Sequence, residues 1–192
     1  MSFKEKKKII SHAMKDVENI NSQVINEITN IAEEVSFSKN SVILNLDDKL
    51  DFVYLILKGL ARSYYIDIKG NDITKLLISE NDYMMGESLF QSSSFEVFEA
   101  LEDLHCLRFK GNDFKNILLS YKETAKAYSE FLENIIMYKM KREYNFQCLD
   151  ASQRYLDFKK NYSHLEDRIP QYIISSYLGI TKESLSRIRK EL

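Results

Sequence analysis

The chain has 192 residues, 44% of them hydrophobic, enough for one large domain or two small ones with a real core. A net charge of −2 argues against a generic coat for nucleic acid, and no apolar run approaches the roughly 20 residues of a membrane-spanning helix. Cys106 and Cys148 lie far apart and are too few for a disulfide framework or an iron–sulfur cluster within one chain. The basic start, Lys4 to Lys8, leads into no continuous apolar stretch, so no secretory signal and a cytoplasmic location are expected.

In chain order, Val17, Ile20, Val24, Ile25, Ile28 and Ile31 recur at spacings of three and four, and the spacing predicts helix from about Lys4 to Glu34. From Val42 the period changes to short β-rich runs: 41–44, 52–57, 60–68, 73–78, 95–100 and 104–109. Turns such as 67–72 separate them. Many short strands at this spacing predict a compact β-barrel or jelly-roll-like sensor domain. From Asn112 the helical period returns, and one long helix is predicted over about Glu123 to Tyr144. Its apolar stripe runs through Tyr128, Leu132, Ile135, Ile136 and Met140. That stripe either packs on its own β-domain or on a second copy of itself. A further helix is expected from Ser152 to Asn161.

The charge is unevenly placed. From Ser36 to Asp113 there are eight Lys/Arg against thirteen Asp/Glu, whereas Arg168 to Leu192 carries five positives (Arg168, Lys182, Arg187, Arg189 and Lys190) against two negatives. An acidic body with a basic tip suits a protein that offers one end to a polyanion. Within that tip, Pro170, the single proline, sits where a helix would begin. Gly179 supplies the left-handed residue that ends it, and Ile180 plugs the space before the next helix. Thr181 is a fitting N-cap for that helix, with Glu183 in its first turn. Leu185, Ile188 and Leu192 should face inward, leaving Lys182, Glu183, Ser186, Arg187 and Lys190 outward. Arg187 and Lys182 can donate to guanine or phosphate, Glu183 can accept from cytosine, and Thr181 and Ser184 suit phosphate contacts. A plain helical hairpin with a solvated face is the alternative.

The run Gly179 to Arg189 (Gly-Ile-Thr-Lys-Glu-Ser-Leu-Ser-Arg-Ile-Arg) resembles the helix-turn-helix of the Crp/Fnr family of bacterial regulators. The resemblance continues upstream through Ala151 to Tyr155 and Arg168 to Pro170. In Phe52 to Gly59 and Met85 to Phe90 it reaches that family's cyclic-nucleotide-binding-type β-roll. The C-terminal motif is the more specific. The resemblance implies an α+β chain in three parts: N-terminal helices and a double-stranded, jelly-roll-like β-roll sensor over 1–120, a dimerisation helix over 121–146, and a helix-turn-helix domain over 147–192. It further implies that Lys182, Glu183 and Arg187 take the base-reading positions of a homodimer on a pseudo-palindrome. Double-stranded DNA, a second copy of the chain, a small-molecule effector and RNA polymerase are the expected partners, with no membrane.

Two departures stand out. The sequence stops at Leu192, so the β-hairpin wing that often follows the recognition helix is expected to be absent, weakening binding without forbidding it. In relatives that bind cyclic nucleotides, a cassette beginning Gly-Glu ends in an Arg that pairs the phosphate. Here Gly86, Glu87, Ser88 and Leu89 match its start, yet no Lys or Arg lies between Lys75 and Arg108. Cyclic AMP held in the usual way is therefore not expected. An apolar effector lined by Met84, Met85, Phe90, Phe95 and Phe98 is one option, and an empty scaffold with those residues as core is the other. His105 and Cys106 are adjacent on a predicted strand, point to opposite faces and cannot chelate one metal. No nucleophile elbow or phosphate-cradling loop occurs, so no enzyme, haem or other cofactor is expected. The competing functional class is a small-molecule sensor or protein-interaction module with a vestigial helix-turn-helix.

Overall fold

The N-terminal periodicity resolves into two helices. The computed structural model describes residues 1–49, 51–85 and 93–192. Helix α1 (Phe3–Ala13) opens on a capping box, in which the Ser2 hydroxyl accepts from the Glu5 N–H and the Glu5 carboxylate accepts from the Ser2 N–H. The chain then turns through Asn19 at φ 56°, and the Asn21 side chain caps α2 (Ser22–Ile31), which buries Val24, Ile25 and Ile28. The expected continuation of helix to Glu34 is corrected. Ala32 is extended, and β1 (Glu33–Phe37) pairs antiparallel with β8 (Leu104–Lys110). Cross-strand partners, the Glu33–Arg108 ion pair at 2.8 Å and the contact of Glu34 with His105 at 2.9 Å, explain how two glutamates sit in a strand.

The remaining strands are β2 (Val42–Leu44), β3 (Phe52–Lys58), β4 (Ala61–Ile66), β5 (Asp72–Ile78), β6 (Tyr83–Met84) and β7 (Val97–Ala100). They form two antiparallel four-stranded sheets, ordered β1-β8-β3-β6 and β2-β7-β4-β5. Alternation along β3 and β8 serves two cores at once. Val53, Leu55, Leu107 and Phe109 face the helices and pack on Ile10, Val24 and Ile28. Ile56, Leu104 and Cys106 face the other sheet and pack on Ile78, Met84, Phe98 and Ala100. Gly59 makes the β3–β4 turn at φ 98°, where an added Cβ would stand 2.5 Å from the Asp103 carbonyl oxygen. Only glycine fits that approach.

Helix α3 (Gly111–Ser120) leads into α4 (Lys122–Cys148), a 27-residue rod about 40 Å long at 1.5 Å per residue. A capping box of Asp150 and Gln153 starts α5 (Ala151–Tyr162). A 3₁₀ turn (Glu166–Arg168), α6 (Gln171–Leu178) and α7 (Lys182–Glu191) complete the chain. Tyr155, Phe158, Leu165, Ile169, Ile173, Ile174, Leu178, Leu185 and Ile188 form the C-terminal core, which Leu60, Leu77 and Leu101 of the β-roll join. Among the described residues, no helix is long and apolar enough to cross a membrane.

Candidate nucleic-acid interface

Helices α6 and α7 meet through a sharp turn that the local residues dictate. Pro170 stands one position before the first helical residue, and its carbonyl accepts from the Ile173 and Ile174 N–H groups at 2.9 and 3.2 Å. Gly179 ends α6 at φ 66° and ψ 39°, with Ile180 partly buried against the C-terminal core. The Thr181 hydroxyl then accepts from the Ser184 N–H at 3.2 Å and caps α7. Leu185 and Ile188 are buried. Lys182, Glu183, Ser186, Arg187 and Lys190 are exposed together on the opposite face. The Glu183 carboxyl lies below its usual range, held there by its own backbone N–H and the Thr181 hydroxyl. Gln171, from the first turn of α6, borders the same face, and Lys182 lies 5.5 Å from the Tyr172 ring centroid. These two α6 residues were not anticipated from the sequence; their signal is their position directly after Pro170.

Two cations counted in the basic tip serve another purpose. Arg189 donates to Glu166 at 2.7 Å and to the Tyr155 hydroxyl at 3.2 Å, tying α7 to α5. Arg168 forks onto Glu80 at 2.8 Å and Glu102 at 2.6 Å, both on β-roll turns. That guanidinium holds the Glu80 carboxyl down at about 2. The outward cations of the tip are thus Lys182, Arg187 and Lys190, with Arg187 only loosely near Glu191 at 3.9 Å.

The same docking continues along the free edge of β5. The Ser176 hydroxyl of α6 accepts from the Thr74 N–H and donates to the Asp72 carbonyl, each at 2.9 Å. Arg142 of α4 donates to the Thr74 carbonyl at 3.1 Å. Side chains therefore satisfy edge groups that would otherwise invite another strand. Beneath lies Arg62, only 4% exposed, which donates to Glu99 at 2.8 Å and Thr74 at 3.2 Å and also pairs with Asp72. Burial of this cation is offset by two carboxylates.

Inside the β-roll, a cavity of about 290 Å³ is lined by Ile43, Leu44, Tyr54, Met84, Met85 and Phe98, with Asp48, Lys49 and Asp51 at one side. Phe98, Met84 and Met85, candidates for lining an effector pocket, thus line this cavity. Phe95 does not: it is 52% exposed and stacks on Tyr65 at 5.8 Å between ring centroids. Gly86, Glu87, Ser88, Leu89 and Phe90 lie outside the described residues.

Along α4, Tyr128 packs on the helical side of the β-roll, and Leu132 and Ile135 are half-buried. Ile136 and Met140 are 57% and 58% exposed, and Met137 and Tyr144 extend the same open strip. Among the described residues Thr124 is the one fully buried side chain of this helix.

Residues 34–121, from β1 to the end of α3, match the cyclic nucleotide-binding domain family. FixK2 from Bradyrhizobium japonicum superimposes with a TM-score of 0.77 at 20% identity, over 84% of this chain and 84% of that one. The fold is that of the Crp/Fnr-type regulators. A CooA variant from Carboxydothermus hydrogenoformans (TM-score 0.71, 16% identity, 95% and 83% of the two chains) and a Crp/Fnr-family protein from Eubacterium rectale (0.70, 19%, 90% and 83%) share it. No curated protein matches the chain by sequence. In this Crp/Fnr-type fold the β-roll is followed by the long helix α4 and then by the C-terminal helices, and α7 is the second helix of the α6–α7 pair.

Proposed function

We propose that this chain is a DNA-binding transcription regulator that acts as a homodimer and reads a pseudo-palindromic operator with α7. The exposed face of α7 carries the proposal: Lys182, Glu183, Ser186, Arg187 and Lys190 project together from a helix whose other face is locked by Leu185 and Ile188. A short helix of this kind enters the major groove with its N-terminal residues at base edges. In this reading Arg187 and Lys182 donate to guanine or phosphate, Glu183 accepts from cytosine, and Ser186 and Lys190 border the backbone. Thr181 and Ser184 are placed at the helix N-terminus, where phosphate contacts are made. The half-buried Leu132 and the open strip through Ile136 and Met140 on α4 supply the dimer seam, and two copies would set their recognition helices about 34 Å apart. RNA polymerase is a further proposed partner. The effector is not expected to be cyclic AMP, because the described lining of the β-roll cavity presents Asp48 and Asp51 against Lys49 alone.

Selection of bound duplexes from a random pool tests the proposal. Enrichment of inverted repeats with half-sites about one helical turn apart is the expected outcome. Recovery of no shared motif would contradict it and favour a sensor that signals through protein contacts.

A further inference from the structure

A second cavity, of about 310 Å³, lies outside the β-roll, between the end of α4 and the helices α5 and α6. Its cationic wall is made by Arg142 and Arg154. The Arg142 guanidinium donates to the carbonyls of Thr74 and Tyr177, both at 3.1 Å. The Arg154 guanidinium donates to the carbonyls of Leu178 at 3.1 Å and Leu149 at 2.7 Å. Main-chain carbonyls fix both groups in place, and among the described residues neither meets a carboxylate. The one carboxylate in the wall, Asp157, is already engaged by Lys141 and by Asn145, each at 3.0 Å. Three cations against one anion leave the lining with excess positive charge.

Much of the remaining wall is aromatic, with Asn145, Asn161 and Leu178 between the rings. The Phe146 ring centroid lies 4.9 Å from the Arg142 guanidinium and 5.3 Å from that of Arg154. The Tyr138 and Tyr177 hydroxyls share a hydrogen bond of 3.3 Å, and burial pushes both phenols up, so both stay protonated, with one of the two protons used in that bond. A pocket rich in fixed donors and poor in free acceptors, walled by flat rings, is complementary to a planar anion. Its size falls at the lower end of small-molecule sites, about 300–1,000 Å³. Tyr138, Arg142 and Asn145 project from a different side of α4 than Ile136 and Met140, because residues two apart on a helix do not share a face.

We propose that this junction is a binding site for a small organic anion carrying a planar ring, an aromatic phosphate or carboxylate, distinct from the β-roll cavity. The acidic group would lie against the free N–H groups of Arg142 and Arg154, and the ring against Phe146. Such a ligand contacts α4, α5 and α6 together, so it senses how the C-terminal unit sits on the long helix.

Phenyl phosphate titrated into the isotope-labelled full chain tests the site, with NMR shifts as the readout. Saturable changes centred on Phe146, Arg142, Arg154 and Tyr177 are expected, with inorganic phosphate binding at least tenfold more weakly. Arg154→Gln should weaken phenyl phosphate about tenfold or more while leaving the rest of the spectrum native. Should that variant not fold, Phe146→Leu alters a half-exposed ring and should lose the preference for phenyl phosphate over inorganic phosphate. Shifts that do not saturate, that centre on the β-roll cavity, or that are the same in a folded variant would overturn the proposal.

Discussion

Arg168 reaches from the turn before α6 to two carboxylates on separate β-roll turns, Glu80 and Glu102. Each pair is about one-third exposed, so solvent screening limits its worth, although the bidentate geometry raises it above an ordinary surface pair. Arg168→Ala is expected to cost about 1–2 kcal/mol in urea unfolding at neutral pH. The Glu80 carboxyl is lowered to about 2 in the folded chain from an ordinary value of 4.5. A depressed carboxyl contributes stability above its unfolded pKa and loses that contribution as pH falls through the folded value. The gap between the parent chain and Arg168→Ala should therefore be full near pH 6 and should narrow steadily from about pH 4.5 toward 2. A gap that stayed constant down to pH 3 would show that the fork is not what Arg168 contributes. Nothing near Arg168 in the sequence announces this role, since its partners lie 88 and 66 residues away. Charge counting placed it in a nucleic-acid-facing tip; packing gave it to the β-roll.

Elements whose apolar spacing repeats over several turns were legible, and those defined by one or two contacts were not. The stripe from Tyr128 to Met140 predicted α4, and the structure extends the helix to Lys122–Cys148, beyond the regular stripe at both ends. The turn residues Pro170, Gly179 and Thr181 located α6 and α7 closely, because each has a backbone or capping role that few other residues fill. By contrast β1 was read as the end of a helix. It is an edge strand, and its Glu33 and Glu34 carry no apolar alternation; their pairing depends on Arg108 and His105, far along the chain. The spacing does not locate the break between α1 and α2, since Val17 and Ile20 keep the apolar period through a turn. Two predictions belong at this scale. Gly179→Ala forces a side chain into the left-handed region, where its Cβ would stand 2.7 Å from Phe146 Cε1, and should destabilise the protein by about 1–2 kcal/mol in thermal unfolding. Ile136→Glu with Met140→Glu places two charges on the open strip of α4 and should convert a dimer into a folded monomer, as read by light scattering and circular dichroism. An unchanged molecular mass would rule out this strip as the seam.

At the scale of the molecule, the β-roll, the long helix and the α6–α7 pair share contacts rather than hanging from a linker. Leu60, Leu77 and Leu101 enter the C-terminal core, Ser176 and Arg142 cover the β5 edge, and Arg168 closes the far side. The outward face of α7 remains exposed in this docked arrangement. A ligand that favours one placement of the C-terminal unit over another could thus shift affinity for an operator only by its differential affinity for the two placements. The most direct measurement of the central claim is the salt dependence of duplex binding, by fluorescence anisotropy, for the parent chain and for Arg187→Ala. The claim that α7 reads DNA predicts a steep negative slope of log affinity against log salt for the parent. In Arg187→Ala it predicts affinity reduced by about 1–3 kcal/mol and a slope shallower by about one unit. Equal affinity and equal slope in the two proteins would contradict it.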